Sequence, residues 1–300
     1  MNELLYPGYY NVDLAQLTKI FYKILENCTL CPHRCRVNRL KGQTGKCRTK
    51  FAPKISSFGP HYGEEKELVG KRGSGTIFFS YCNLKCLYCQ NYEISQLGEG
   101  KEVNLEELAN IMLYLQELGC HNINLVTPTH VIPQILGALA IAKDRGLKLP
   151  LVYNSGGYDD PEILKLLSGV IDIYMPDIKY GTNETAQKYS GINNYWNISQ
   201  KVVLEMYRQV GDLITDKNGI AVRGLIIRHL VLPNRLASSF QVLDFVASRL
   251  SLNTYINIMP QYRPRYKANN CPELNRLITD QEFYEVIEYA RRLGLKRINY

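Results

Sequence analysis

Three cysteines stand at C-x3-C-x2-C spacing in the segment Phe78-Phe-Ser-Tyr-Cys82-Asn-Leu-Lys-Cys86-Leu-Tyr-Cys89-Gln-Asn91. Gaps of three and two residues let one loop wrap an iron–sulfur cube, so that Cys82, Cys86 and Cys89 meet three different irons. The fourth iron of such a [4Fe–4S] cluster has no protein ligand, and a vacant corner can bind and activate a small molecule. The competing reading is structural zinc, which takes four ligands, commonly from two C-x2-C pairs. No fourth Cys or His lies within ten residues of the triplet, which favours the cluster.

A second set, Cys28-Thr-Leu-Cys31-Pro-His-Arg-Cys35 followed by Gly42, Gly45 and Cys47, reads C-x2-C-x3-C-x11-C. Four thiolates in twenty residues suit a closed tetrahedral metal site. Zinc would staple a segment with little core of its own. A second iron–sulfur cluster would relay electrons or anchor a substrate. Spacing does not separate zinc from iron, and His33 is a further candidate ligand inside the loop. Cys120 and Cys271 have no neighbours of their kind and read as small buried hydrophobes. Nine cysteines in all, odd in number and closely clustered, argue against a disulfide framework and for a reducing cytoplasm.

The elements that must hold these loops alternate along the chain. Strand patterns fall at 76–81, 122–127, 149–153, 170–175, 224–232 and 254–259, with a short one at 297–300. Between them lie helical patterns, the clearest at 104–118. There Leu105, Leu108, Ile111, Met112 and Leu115 share a face, and Asn104 with Glu107 forms a capping box. Helical patterns also cover 133–145, 199–210, 237–250 and 280–293. Such alternation predicts βαβ units and a parallel sheet, either a partial (β/α)6 barrel or a doubly wound sheet. Residues 1–70 read as a Cys-rich metal-binding extension with few strands, and 71–300 as the core. Polar or Gly/Pro punctuation follows each predicted strand, as in Cys82, Thr127-Pro-Thr-His130, Asn154-Ser-Gly-Gly157 and Asp177-Ile-Lys179. In parallel α/β folds these strand ends share one rim, where sites are built. Gly156-Gly157 permits close backbone approach to a ligand. Asp177 and Lys179, two apart at a strand end, point the same way and can pair, either as part of a site or as a structural ion pair.

The triplet segment, with an aromatic before its third cysteine, resembles the signature of the radical S-adenosylmethionine (SAM) superfamily. More narrowly, nearly the whole chain resembles homologues of the pyruvate formate-lyase activating enzyme, including the N-terminal cysteines, His121–His130, Arg228–Asn234 and Met259–Tyr262. The resemblance implies a partial (β/α)6 radical SAM barrel. It implies that Cys82, Cys86 and Cys89 ligate the cluster, that SAM occupies its vacant corner, and that Tyr88 lies near the adenine. Activating enzymes carry Gly-Gly-Glu after the second strand to hold the SAM amino group. Here that place reads Thr127-Pro-Thr-His130, so Thr129 or His130 would take that role, while His130 also reads as a helix-entry residue. Asn154, Gly156 and Gly157 resemble a ribose-contacting turn, and Asp177 with Lys179 resembles an Asp-x-Lys motif facing the site. Tyr262 stands where relatives often have a histidine.

The expected activity is therefore reductive cleavage of SAM to a 5′-deoxyadenosyl radical for hydrogen abstraction. The expected target is a glycine of a glycyl-radical-enzyme-like protein substrate, with electrons from a flavodoxin or ferredoxin. RNA or a metabolite is the next target class, and a non-catalytic zinc module gripping nucleic acid is the rival from another class. The formal net charge of +8 is compatible with an anionic partner, although the basic residues are scattered. The segment Gln261-Tyr-Arg-Pro-Arg-Tyr-Lys267 mixes aromatics with positive charge and suits either a nucleic-acid track or the rim of a site. No membrane span is expected, because the longest uncharged apolar run, Ile135–Ala142, is too short. Met1–Tyr10 lacks a basic region followed by an apolar one, so no signal peptide is expected.

Overall fold

Apolar runs that alternate with amphipathic ones become a parallel sheet covered by helices in the computed structural model, which describes residues 6–300; residues 1–5 of the Met1–Tyr10 segment lie outside it. The strands are β1 (Lys54–His61), β2 (Ser74–Phe79), β3 (Lys101–Glu102), β4 (Ile123–Val126) and β5 (Leu151–Ser155). They continue with β6 (Ile173–Pro176), β7 (Ile214–Thr215), β8 (Ala221–Leu230), β9 (Tyr255–Met259) and β10 (Arg297–Asn299). Their order across the sheet is β10-β9-β8-β6-β5-β4-β2-β1-β3, with β7 paired to β8 off this path. From β2 to β10 neighbouring strands are parallel, whereas β1 runs antiparallel to both β2 and β3. The fold is thus α/β, with β2, β4, β5, β6, β8 and β9 following in chain order as the six strands of the partial (β/α)6 reading, and the short β10 as a seventh parallel strand at the border. The sheet does not close on itself.

Burial explains why these runs are strands. Every residue of β4 to β6 except Val126 is buried, the pattern of a sheet covered on both faces. The helix Leu105–Glu117 has the capping box of Asn104 and Glu107 and buries Leu108, Ala109, Met112 and Leu115. The N-terminal helix Leu14–Leu25 puts Leu14, Leu17, Phe21 and Leu25 into the same core, next to helix Ile132–Asp144.

Among the described residues the few strands expected before residue 70 amount to one, β1, which pairs from Ile55↔Phe79 to His61↔Ser74 and carries the sheet across the 70/71 boundary. Its sequence hides it. Only Ile55 is buried, and Gly59 and Pro60 interrupt the pattern, as an edge-type strand tolerates. Among the described residues no helix is long and apolar enough to cross a membrane.

Candidate active site

The carboxyl ends of β2, β5, β6 and β8 surround a cavity of about 250 Å³, larger than the ~150 Å³ void that admits benzene. Cys82, Cys86 and Cys89 line one wall, and Asn154, Gly156, Asp177, Lys179 and Arg228 line the other. The cysteine loop leaves β2 through Tyr81, whose φ of +69° is rare outside glycine, and Thr127 after β4 has a φ of +61°. A β-branched residue held in that conformation is costly, and such strain gathers at functional sites.

Each sulfur of the triplet has its own hydrogen-bond partner. The Leu84 N–H points to Cys82 Sγ at 3.3 Å, the Ser190 hydroxyl donates to Cys86 Sγ at 3.0 Å, and Ser95 Oγ lies 3.1 Å from Cys89 Sγ. Ser95 is carried there by the π-turn Glu93–Leu97, a deformation frequent at functional sites. Burial pushes the Cys82 thiol up to about 12, and burial raises Cys86 although Lys179 opposes it. Such thiols ionise readily only with a cation to receive them. Among the described residues no three Cys, His, Asp or Glu side chains close on one point as ligands of a single ion would. Sulfurs that meet three separate irons need not converge, so three donor-supplied thiols beside an open cavity fit a cube with a vacant corner.

The opposite wall is a charged network. Asp177 accepts from Lys179 Nζ at 2.7 Å and from Arg228 Nε at 2.9 Å. Arg228 also donates to Glu64 at 3.0 Å and to Asn154 Oδ1 at 2.7 Å. Burial acts to raise Asp177, but the Arg228 and Lys179 charges outweigh it and hold the carboxyl below its usual range. Glu64 is the reverse case, where burial wins over Arg228 and its pKa is raised. Arg228 and Glu64 escape a sequence reading. The available signal is an arginine directly after the buried run from Gly224 to Ile227.

The structure brings together Cys82, Cys86, Cys89, Tyr88, Asn154, Gly156, Asp177 and Lys179 around one space. Tyr88 is buried with its ring edge-on to Tyr180 and Tyr262, at centroid distances of 6.2 and 5.9 Å. Tyr262 is buried too, and its hydroxyl donates to Leu274 O. Thr129 and His130 are held away from this cavity. Thr129 donates to Asp159 at 2.7 Å, and His130 binds Ser80 O through Nε2 at 2.9 Å, both in buried positions. In place of those side chains, Thr127 presents itself to the space. Gly157 lies behind the wall at a φ of +71°, where a Cβ would fall on the Asp177 carbonyl oxygen. Gly157→Ala is therefore expected to cost about 2 kcal/mol or more, read from the denaturation midpoint.

The Gln261–Lys267 segment rims the mouth. Gln261 lines the cavity, its carbonyl accepts from Gln90, and Tyr266 stacks on Tyr92 at 5.1 Å. Cys28, Cys31, Cys35 and Cys47 meet around a separate small cavity, and among the described residues no cysteine is in a disulfide. Cys120 is buried in the main core, and Cys271 is half-buried beside the apolar cluster of Tyr88.

Comparison with known proteins accords with this geometry. The radical SAM superfamily profile matches residues 76–234. An uncharacterized protein of Methanocaldococcus jannaschii is 36% identical over 99% of this chain and 83% of its own length. A second uncharacterized protein of that organism is 23% identical over 92% of this chain and 81% of its own. Among solved structures, HydG, a maturase of the [FeFe]-hydrogenase, superimposes with a TM-score of 0.51 at 15% identity. That likeness concerns the fold, and covers 73% of this chain and 49% of the maturase.

Proposed function

Because the chain belongs to the radical SAM superfamily, whose enzymes use a [4Fe–4S] cluster and SAM, we propose that it cleaves SAM at Cys82, Cys86 and Cys89 to abstract hydrogen from a glycine of a partner protein. The observation that supports this most is the cysteine loop itself, in which each of three thiols has a hydrogen-bond partner and all three open on one cavity. When bound and reduced, the cluster supplies one electron to the sulfonium of SAM, giving methionine and a 5′-deoxyadenosyl radical.

The chain's own residues then have distinct tasks. Ser190, Ser95 and the Leu84 amide hold the sulfurs and lower the charge density on them, which tunes a cluster's potential. Arg228 fixes Asn154 and Asp177 in one orientation, so the wall facing the cysteines is rigid before a ligand arrives. Tyr88, with Leu84 and Leu230, supplies apolar surface that keeps water from a reactive centre. Arg263 and Arg265 are exposed at the mouth and offer positive charge to an anionic or acidic substrate face. A small acidic one-electron carrier, flavodoxin or ferredoxin, is the donor this reading calls for.

The test is anaerobic incubation with SAM, a reductant and a candidate glycyl radical enzyme. A glycyl doublet in the electron paramagnetic resonance (EPR) spectrum, with 5′-deoxyadenosine formed in step, is expected. A modified RNA or metabolite as the product, with no glycyl signal, would overturn the activase reading and leave SAM cleavage standing.

A further inference from the structure

We propose that the cavity between Cys28, Cys31, Cys35 and Cys47 holds a second, fully ligated [4Fe–4S] cluster that carries electrons and binds no substrate. The first observation is placement. All four cysteines line one small void, so the two ends of the loop meet at one place. Yet among the described residues no three Cys, His, Asp or Glu side chains close on one point as the ligands of a single ion, zinc included, would. A cube, whose irons stand between its centre and the thiolates, needs the wider spacing. Gly45 makes the room, since a Cβ there would sit 2.6 Å from Cys35 Sγ.

The second observation is charge. Arg39 lines the same void and is 1% exposed, and among the described residues no carboxylate pairs with it. Its guanidinium donates only to backbone carbonyls, to Lys50 O at 2.7 Å and to His130 O at 2.8 Å. A buried guanidinium with no counter-charge is strongly unfavourable. Residues 27–63 carry eight Lys and Arg and no Asp or Glu. Four thiolates on zinc or around a cubane alike make a dianion, which compensates both the buried Arg39 and this basic collar, so charge calls for a metal here and spacing chooses the cube.

The third observation is an unused ligand-facing group. His130 lines the void and is 1% exposed, and its Nδ1 has no hydrogen-bond partner while Nε2 binds Ser80 O. A cluster at this place gives that nitrogen a sulfur neighbour. The two cysteine loops also touch, because His33, between Cys31 and Cys35, reaches Asn83 O at 2.8 Å beside Cys82. The second centre would therefore share a wall with the first. With no vacant corner it passes one electron at a time, taken from an external one-electron donor that is oxidised in the step.

The experiment compares three proteins made and purified without oxygen. The unaltered chain should contain about eight irons, two cubes. The variant Cys82→Ala, Cys86→Ala, Cys89→Ala should retain about four irons and four sulfides, and its dithionite-reduced EPR signal should not change when SAM is added. The variant Cys28→Ser, Cys31→Ser should lose that signal and keep about four irons whose spectrum does respond to SAM. One zinc per chain in the triple variant, no metal there, or only about four irons in the unaltered chain overturns the proposal. An unaltered chain with about eight irons that forms no 5′-deoxyadenosine would sink the proposed activity and leave this centre standing.

Discussion

Cys86→Ala, reconstituted anaerobically with iron and sulfide, is expected to form 5′-deoxyadenosine at background level, a loss of at least ~10³-fold, since disturbing only the partners of a metal ligand already costs 10–100-fold. Cys86 is the most buried of the triplet and receives the Ser190 hydroxyl. Two remaining thiolates cannot fix a cube against one wall. The fold should survive, because trading a thiol for a methyl group deletes a single buried atom. Far-ultraviolet circular dichroism and the melting temperature check that. Ser190→Ala keeps the ligand and removes its hydrogen bond, together with the 2.7 Å bond between Ser190 and the Tyr180 hydroxyl, so its product yield should fall within the 10–100-fold range. Product at the unaltered rate from Cys86→Ala would refute the assignment of this cysteine.

Arg228→Met should lower the unfolding free energy by about 3–5 kcal/mol near neutral pH, the usual cost of stripping one partner from a buried ion pair. The guanidinium serves Asp177, Glu64 and Asn154 together, and among the described residues no other salt bridge reaches Glu64. Burial already raises the Glu64 pKa against the pull of Arg228, and removal of that pull raises it further. A carboxyl whose pKa is higher folded than unfolded binds its proton more tightly in the folded state. Lowering the pH therefore favours folding, and the deficit should shrink as the pH falls from neutral toward the acid range. Denaturant melts across that window give the sign directly. Adding Glu64→Gln to the variant should recover much of the loss at neutral pH. A deficit that grows on acidification would contradict the network.

The legible parts of this molecule are those where one local rule acts alone. The cysteine spacing declares its chemistry because the gaps are short enough to be one loop. The central strands and the helix Leu105–Glu117 declare themselves through burial and capping. Strand β1 does not, since pairing with Phe79 and Phe78 rather than its own pattern makes it a strand. Arg228 and Glu64 are 164 residues apart, and no window of sequence joins them. His130 shows how adjacency misleads. It stands one turn from the cavity in sequence, but its backbone carbonyl is bound to Arg39 and its ring to Ser80, which fixes it beside the other set of cysteines.

A sheet that stays open keeps two borders, and exposed borders invite strands of other molecules. Here β10 is three residues long and β3 only two, with Lys101 and Glu102 both facing solvent. Neither offers enough unpaired amides to template a neighbouring chain, and a charge pair on β3 discourages flat stacking. The protein can therefore leave its sheet open beside the cavity without becoming self-adhesive, a protection that lengthening β3 with apolar residues would remove.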